Sequence, residues 1–160
     1  MLVRVFVHNG SLANSFFWRE LARLYLKQLL TTGRDICAGG LGGVGDLRDE
    51  ESLSGAFPEL FLSRGRDKPQ INFVIGWGDD YNVHCCDAFK NIILTASRPK
   101  APNVDQVAAL AKFDYVLVPT LAEQQIFYYL GLKKPARHLV PTTENLKEFF
   151  DEVITSGSTK

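Results

Sequence analysis

Residues 91–141 read NIILTASRPKAPNVDQVAALAKFDYVLVPTLAEQQIFYYLGLKKPARHLVP, and the alternation inside this run decides the fold class. Residues 91–95 are aliphatic and β-branched and predict a strand, after which Pro99 and Pro102 punctuate the chain. Asn103 with Gln106 three residues on has the spacing of a capping box, which opens a helix reaching Lys112. Residues 115–118 form an apolar run between Asp114 and Pro119, as a strand buried on both faces requires. Thr120 and Glu123 repeat the cap spacing for a helix that Gly131 closes, and residues 137–140 predict a further strand. Strands that alternate with helices in this way pair in parallel, because a parallel connection has to cross the sheet and a helix does so compactly.

The flanks continue the pattern. Residues 2–7 (LVRVFV) predict a strand that runs into turn formers at His8, Asn9, Gly10 and Ser11. In residues 15–30, Trp18, Leu21, Ala22, Tyr25, Leu26 and Leu29 recur at helical spacing, with Asn14 or Ser15 as cap and Gly33 as stop. Residues 34–38 and 71–75 predict strands, Pro58 suits the first turn of a short helix, and Leu146, Phe149, Phe150 and Val153 mark a last amphipathic helix. The expected architecture is α/β: an open, mainly parallel, doubly wound, Rossmann-like sheet with helices on both faces, in three layers. One domain over residues 1–154 and a flexible tail over 155–160 complete the expectation.

Composition narrows the function. With 160 residues, 46% hydrophobic and 22% charged, the chain has the make-up of one soluble globular domain. Lys plus Arg and Asp plus Glu number 18 each, so no net charge draws the chain to nucleic acid or anionic lipid. Cys37, Cys85 and Cys86 are an odd number with two adjacent, which argues against a disulfide framework. No apolar run approaches the roughly 20 residues of a membrane span, and Met1 leads into an alternating segment, not a signal peptide. A cytoplasmic location without a membrane span is expected.

In doubly wound sheets ligands sit beyond the carboxyl ends of the strands, where strand order reverses. That rule selects the loops at residues 8–14, 39–46, 76–81, 96–100 and 119–123. Gly40, Gly42 and Gly45 match a G-x-G-x-x-G pattern, but the match follows the second strand and no helix opens at Gly45, so a mobile glycine loop is the reading. His84, Cys85, Cys86 and Asp87 are too crowded for the paired spacing of zinc ligands and read as core thiols, leaving no metal site and no cofactor. No nucleophile elbow, H-E-x-x-H or phosphate-binding G-x-x-x-x-G-K-[ST] motif occurs. Asp79 and Asp80 suit a base or a helix cap, Arg98 and Lys100 suit an anion or solvent, and Glu123 suits a cap.

Phe113 to Thr120, Leu121 to Leu132 and Lys133 to Pro141 resemble the second half of the N-terminal domain of retaining, group-1 type GT-B glycosyltransferases. That family has a D-Y-V-hydrophobic-V-P-S/T strand, a helix ending at Gly-Leu, and a basic, Pro-containing entry to a strand finishing in Val-Pro. The resemblance implies a domain that binds the acceptor side of a sugar transfer from a nucleotide sugar to a glycan acceptor. It departs at Thr142, Thr143, Glu144 and Asn145, where the family continues Asn-Gly-Val-Asp, and these 160 residues hold no counterpart of the donor-binding domain. A partner chain or a homodimer is therefore expected to complete the cleft. On the sheet-edge rule and the resemblance together, the candidate catalytic residues are Asp79, Asp80 and His8. The candidate ligand-binding residues are Asn9, Gly10, Ser11, Trp77, Arg98 and Thr120. The alternative from another class is a non-catalytic protein- or ligand-binding module. Phe127, Tyr128, Tyr129 and Leu130 are consecutive and cannot all face one core, so an exposed aromatic patch is expected. A third reading, a mononucleotide or flavin binder, rests on fold analogy.

Overall fold

A computed structural model describes residues 4–9, 16–32, 35–40, 71–78, 81, 90–98 and 100–157. In chain order the elements are β1 (Arg4–Asn9), α1 (Phe16–Leu30), β2 (Asp35–Gly40), β3 (Ile71–Ile75), β4 (Lys90–Leu94), α2 (Val104–Ala109), a 3₁₀ turn (Leu110–Lys112), β5 (Tyr115–Val118), α3 (Leu121–Tyr129), β6 (Arg137–His138) and α4 (Thr143–Gly157). Among the described residues the strands form one six-stranded sheet in the order β2-β1-β3-β4-β5-β6. Every pairing is parallel.

Alternation along the strands sorts the side chains into two layers. Ile71, Phe73 and Ile75 of β3, Ile92 and Leu94 of β4 and Leu117 of β5 share a core with Trp18, Leu21, Tyr25, Leu26 and Leu29 of α1. Leu146, Phe149, Phe150 and Val153 of α4 complete that layer. Val74, Ile93, Val116 and Val118 point the other way, onto Val107 of α2, Phe127 of α3, and Leu110, Phe113, Leu132 and Tyr81. Helices thus cover both faces, in the three-layer, doubly wound α/β arrangement that strand and helix alternation requires. Each fully buried Phe contributes on the order of 1.5–3 kcal/mol of transfer free energy, so the aromatic residues dominate both layers.

The sequence signals in residues 91–141 are realised locally. Asn103 Oδ1 accepts from Gln106 N and Gln106 Oε1 from Asn103 N, both at 2.9 Å, closing the capping box. Gly131 has φ +91, the left-handed geometry that ends α3 without a Cβ penalty. The helix predicted as far as Lys112 tightens into the 3₁₀ turn over its last three residues.

Several boundaries differ from the expectation, β4 by a single residue at each end. β1 continues through His8 and Asn9, which pair with Gly39 and Gly40 of β2 and with Val74 and Ile75 of β3. A strand hydrogen-bonded on both sides overrides the turn preference of those residues, and β2, paired with β1 alone among the described residues, follows the same register through Gly39 and Gly40. β6 is only two residues long. α4 runs through Gly157, so residues 155–157, assigned to the tail from composition, are helix: Thr155 Oγ1 donates to Asp151 O at 2.8 Å and Ser156 Oγ to Val153 O at 2.9 Å. The expected helix at residues 58–64 and the rest of the tail, 158–160, lie outside the described residues. No helix among the described residues is long and apolar enough to cross a membrane.

Candidate functional site

Strand order reverses at β1, which has β2 on one side and β3 on the other, so the crevice between the carboxyl ends of β1 and β3 is the switch point. Asn9 lies level with Ile75, and Ile75 level with Leu94, so the three central strands end together. The described residues that follow β3 and β4 therefore lie at one edge.

Ser97, Arg98 and Lys100, beyond β4, are held from three sides. Both tryptophans of the chain donate to this segment: Trp18 Nε1 of α1 to Arg98 O at 3.1 Å, and Trp77 Nε1, just after β3, to Lys100 O at 2.9 Å. An indole N–H carried partly out of water needs an acceptor, and loop carbonyls supply it. From the other side Glu123 of α3, only 7% exposed, accepts from Ser97 N at 2.8 Å through Oε2. A carboxylate on a backbone N–H is a charge-assisted bond, stronger than a neutral one. Three elements therefore fix one loop at the edge where a ligand would sit. Beneath it Tyr81 and Thr95 share a hydroxyl–hydroxyl bond, both fully buried.

The Arg98 guanidinium is exposed and lies 5.5 Å from the centroid of Phe17, at the start of α1. A cation on a ring face is oriented without being neutralised, and among the described residues Arg98 has no carboxylate partner. Gly78 adopts φ +56, and a Cβ there would stand 3.0 Å from Gln106 Nε2, so the turn after β3 is closed tightly against the cap of α2. Tyr81 N donates to Gly78 O at 3.1 Å across that turn.

The structure brings Trp77 and Arg98 together through the 97–100 segment, with Thr120 joined to them by way of Glu123. Thr120 Oγ1 accepts from Glu123 N at 3.2 Å and caps α3. The cap pair is one-sided, since the Glu123 carboxylate serves Ser97 instead of returning to Thr120. His8 and Asn9 stand on β1 at the switch point, as strand and not loop. Asp79, Asp80, Gly10 and Ser11 lie outside the described residues, as do residues 41–45 of the glycine loop and the cluster His84, Cys85, Cys86 and Asp87. Among the described residues no three His, Cys, Asp or Glu side chains converge as a metal site would need. No family model, curated protein or solved structure matches this chain.

Sequence reasoning missed Trp18 and the reach of Glu123. Trp18 reads as core because its ring is core; the one signal beyond that is its N–H, which a buried helix face cannot satisfy. Glu123 has the spacing of a capping box, and only the third dimension offers it a better donor.

Proposed function

We propose that this chain is a glycosyltransferase-like domain, the acceptor-binding half of a GT-B arrangement. It transfers sugar from a nucleotide sugar only when a second, donor-binding domain is supplied by a partner chain or by self-association. The observation that carries the reading is the run from β4 to β6. Its strands and helices succeed one another in the order the resemblance implies, and the loops after β4 and β5 are joined at the carboxyl edge by Glu123 and Ser97. That edge also leaves Val104, Leu121 and Val140 exposed, as a surface that a second body covers would do.

In such a transfer the acceptor hydroxyl oxygen forms the new bond to the anomeric carbon of the donor sugar. The bond from that carbon to the nucleoside diphosphate breaks and the diphosphate departs with the electron pair. The acceptor proton passes to a base, the role this proposal gives to Asp79, Asp80 or His8. The proposal gives acceptor binding to Trp77, Arg98 and Thr120, with Asn9, Gly10 and Ser11.

The test is a thermal-shift panel on the chain alone. A glycan at about 100 times its dissociation constant adds about 2.7 kcal/mol to the native state. Neutral and acidic oligosaccharides are expected to raise the melting temperature, Arg98→Ala to reduce that rise, and nucleotide sugars to have no effect without a partner. A rise with nucleotide sugars and none with any glycan would sink the reading. A second reading is favoured by the strand order, since the β1/β3 switch point of a 2-1-3-4-5 sheet is also a mononucleotide or flavin site; FMN in the same panel distinguishes it.

A further inference from the structure

At the amino edge, α3 ends and residues 132–136 lead into β6. Over its nine residues α3 carries the chain about 13 Å, so this end is remote from the Arg98 loop. Here a groove of about 350 Å³ is lined by Gln124, Gln125, Tyr128, Tyr129, Lys134 and Pro135, among others, within the size range of small-molecule sites. Tyr128 and Tyr129 are 76% and 80% exposed, although Phe127 before them is fully buried. Their rings meet edge to face, centroids 5.7 Å apart at 75°, and both line the groove.

Lys134 apart, the polar side chains that line the groove are neutral. The Tyr128 and Tyr129 hydroxyls and the Gln125 amide have no hydrogen-bond partner among the described residues. Gln124 Nε2 donates to Ala136 O at 2.8 Å, which fixes the side chain and leaves its Oε1 as an acceptor. The one cation in the lining, Lys134, turns inward and donates to Phe113 O. Aromatic faces beside amide and hydroxyl groups, with no outward charge, match a ligand with apolar C–H faces and many uncharged hydroxyls. They do not match a phosphate or an acidic peptide.

Area separates a small ligand from a protein. A tyrosine buries about 150–250 Å², so two supply about 300–500 Å², short of the roughly 800 Å² per partner of a stable protein interface. We propose that this groove is a binding site for neutral carbohydrate, distinct from the carboxyl edge and argued without it. The tyrosines hold the sugar rings and Gln124 and Gln125 bond the hydroxyls.

The test follows amide resonances of the full chain by NMR during titration with maltopentaose, cellopentaose and chitopentaose, with a sulfated heparin tetrasaccharide as anionic control. At least one neutral sugar is expected to shift the amides of Gln125, Tyr128 and Tyr129, and the anionic control to leave them unmoved. Tyr128→Ala and Tyr129→Ala should each weaken that binding by about ten-fold with the melting temperature unchanged, while Tyr129→Phe, which keeps the ring, retains most of it. No shift with any neutral sugar overturns the proposal, as does a shift that survives both alanine substitutions. So does a dimer in solution that the same substitutions dissolve, since the patch would then serve a second copy. Responses at residues 97–100 report the carboxyl edge alone, so each site can fail without the other.

Discussion

Tyr25 shows how one buried polar atom ties the layer of α1 and α4 to the sheet. Its ring is fully buried and its hydroxyl donates to Leu139 O, just beyond β6, at 2.6 Å. Burial raises the phenol well above its usual range, because the charged form would lose its water. The sign of the pH effect follows. Above about pH 10 the unfolded chain releases the Tyr25 proton while the native chain keeps it. The native state then binds more protons, and stability falls as pH rises. Below that pH the contribution is fully present. Tyr25→Phe should cost about 1–3 kcal/mol at neutral pH, since Leu139 O is left buried without its donor. The variant should also lose stability less steeply than the parent through the alkaline range. Urea midpoints from neutral pH upward test both expectations; curves that stay parallel above pH 10 would refute the linkage.

At the scale of elements, α2 is the piece that depends most on its ends. Six residues cannot hold a helix on propensity alone, and only Val107 and Ala109 of α2 are buried. Its reciprocal cap carries the rest, and Gln106 within that cap also abuts Gly78. Asn103→Ala should therefore cost about 0.5–2 kcal/mol and raise amide exchange through residues 104–112, with Asn103→Asp recovering most of the loss. Unchanged exchange would mean that packing alone holds α2. The same contrast between local and distant causes explains what was legible in the sequence. β3 and β5 stand at their predicted residues, and the Asn103 and Thr120 caps work, because each is decided by neighbours a few positions away. The end of β1 was not legible: His8 and Asn9 are turn formers until β2 and β3 pair with them from both sides. The candidate edge was readable as a set of loops from the alternation of strands and helices, whereas its fastening was not. Trp18 to Arg98 and Glu123 to Ser97 join residues 80 and 26 positions apart, and no spacing rule reaches that far.

Across the molecule the described residues form two hydrophobic layers separated by a sheet one residue thick, and β4 offers a way to ask how independent they are. Ile92 packs with α1 and α4, and Ile93, its neighbour in the chain, packs with α2 and α3. Both are fully buried. Coupling between substitutions arises from shared partners, a shared cavity or a shared backbone shift, and strand alternation denies these two residues a common partner. Ile→Val deletes one methylene without changing β-branching, so the backbone has little cause to move. Ile92→Val and Ile93→Val should each cost about 0.5–1.5 kcal/mol, and the double variant should equal their sum to within about 0.3–0.5 kcal/mol. The measurement is a double-mutant cycle from urea unfolding, with a single transition by fluorescence and circular dichroism confirming that the layers still melt together. The two requirements are compatible: a sheet whose backbone is common to both layers makes unfolding cooperative, while side chains on opposite faces contribute separately. A coupling above about 1 kcal/mol would show that a loss in one layer shifts the β4 backbone. A change beneath α1 would then be felt at residues 97–100, and the candidate edge would move with the core instead of standing on it.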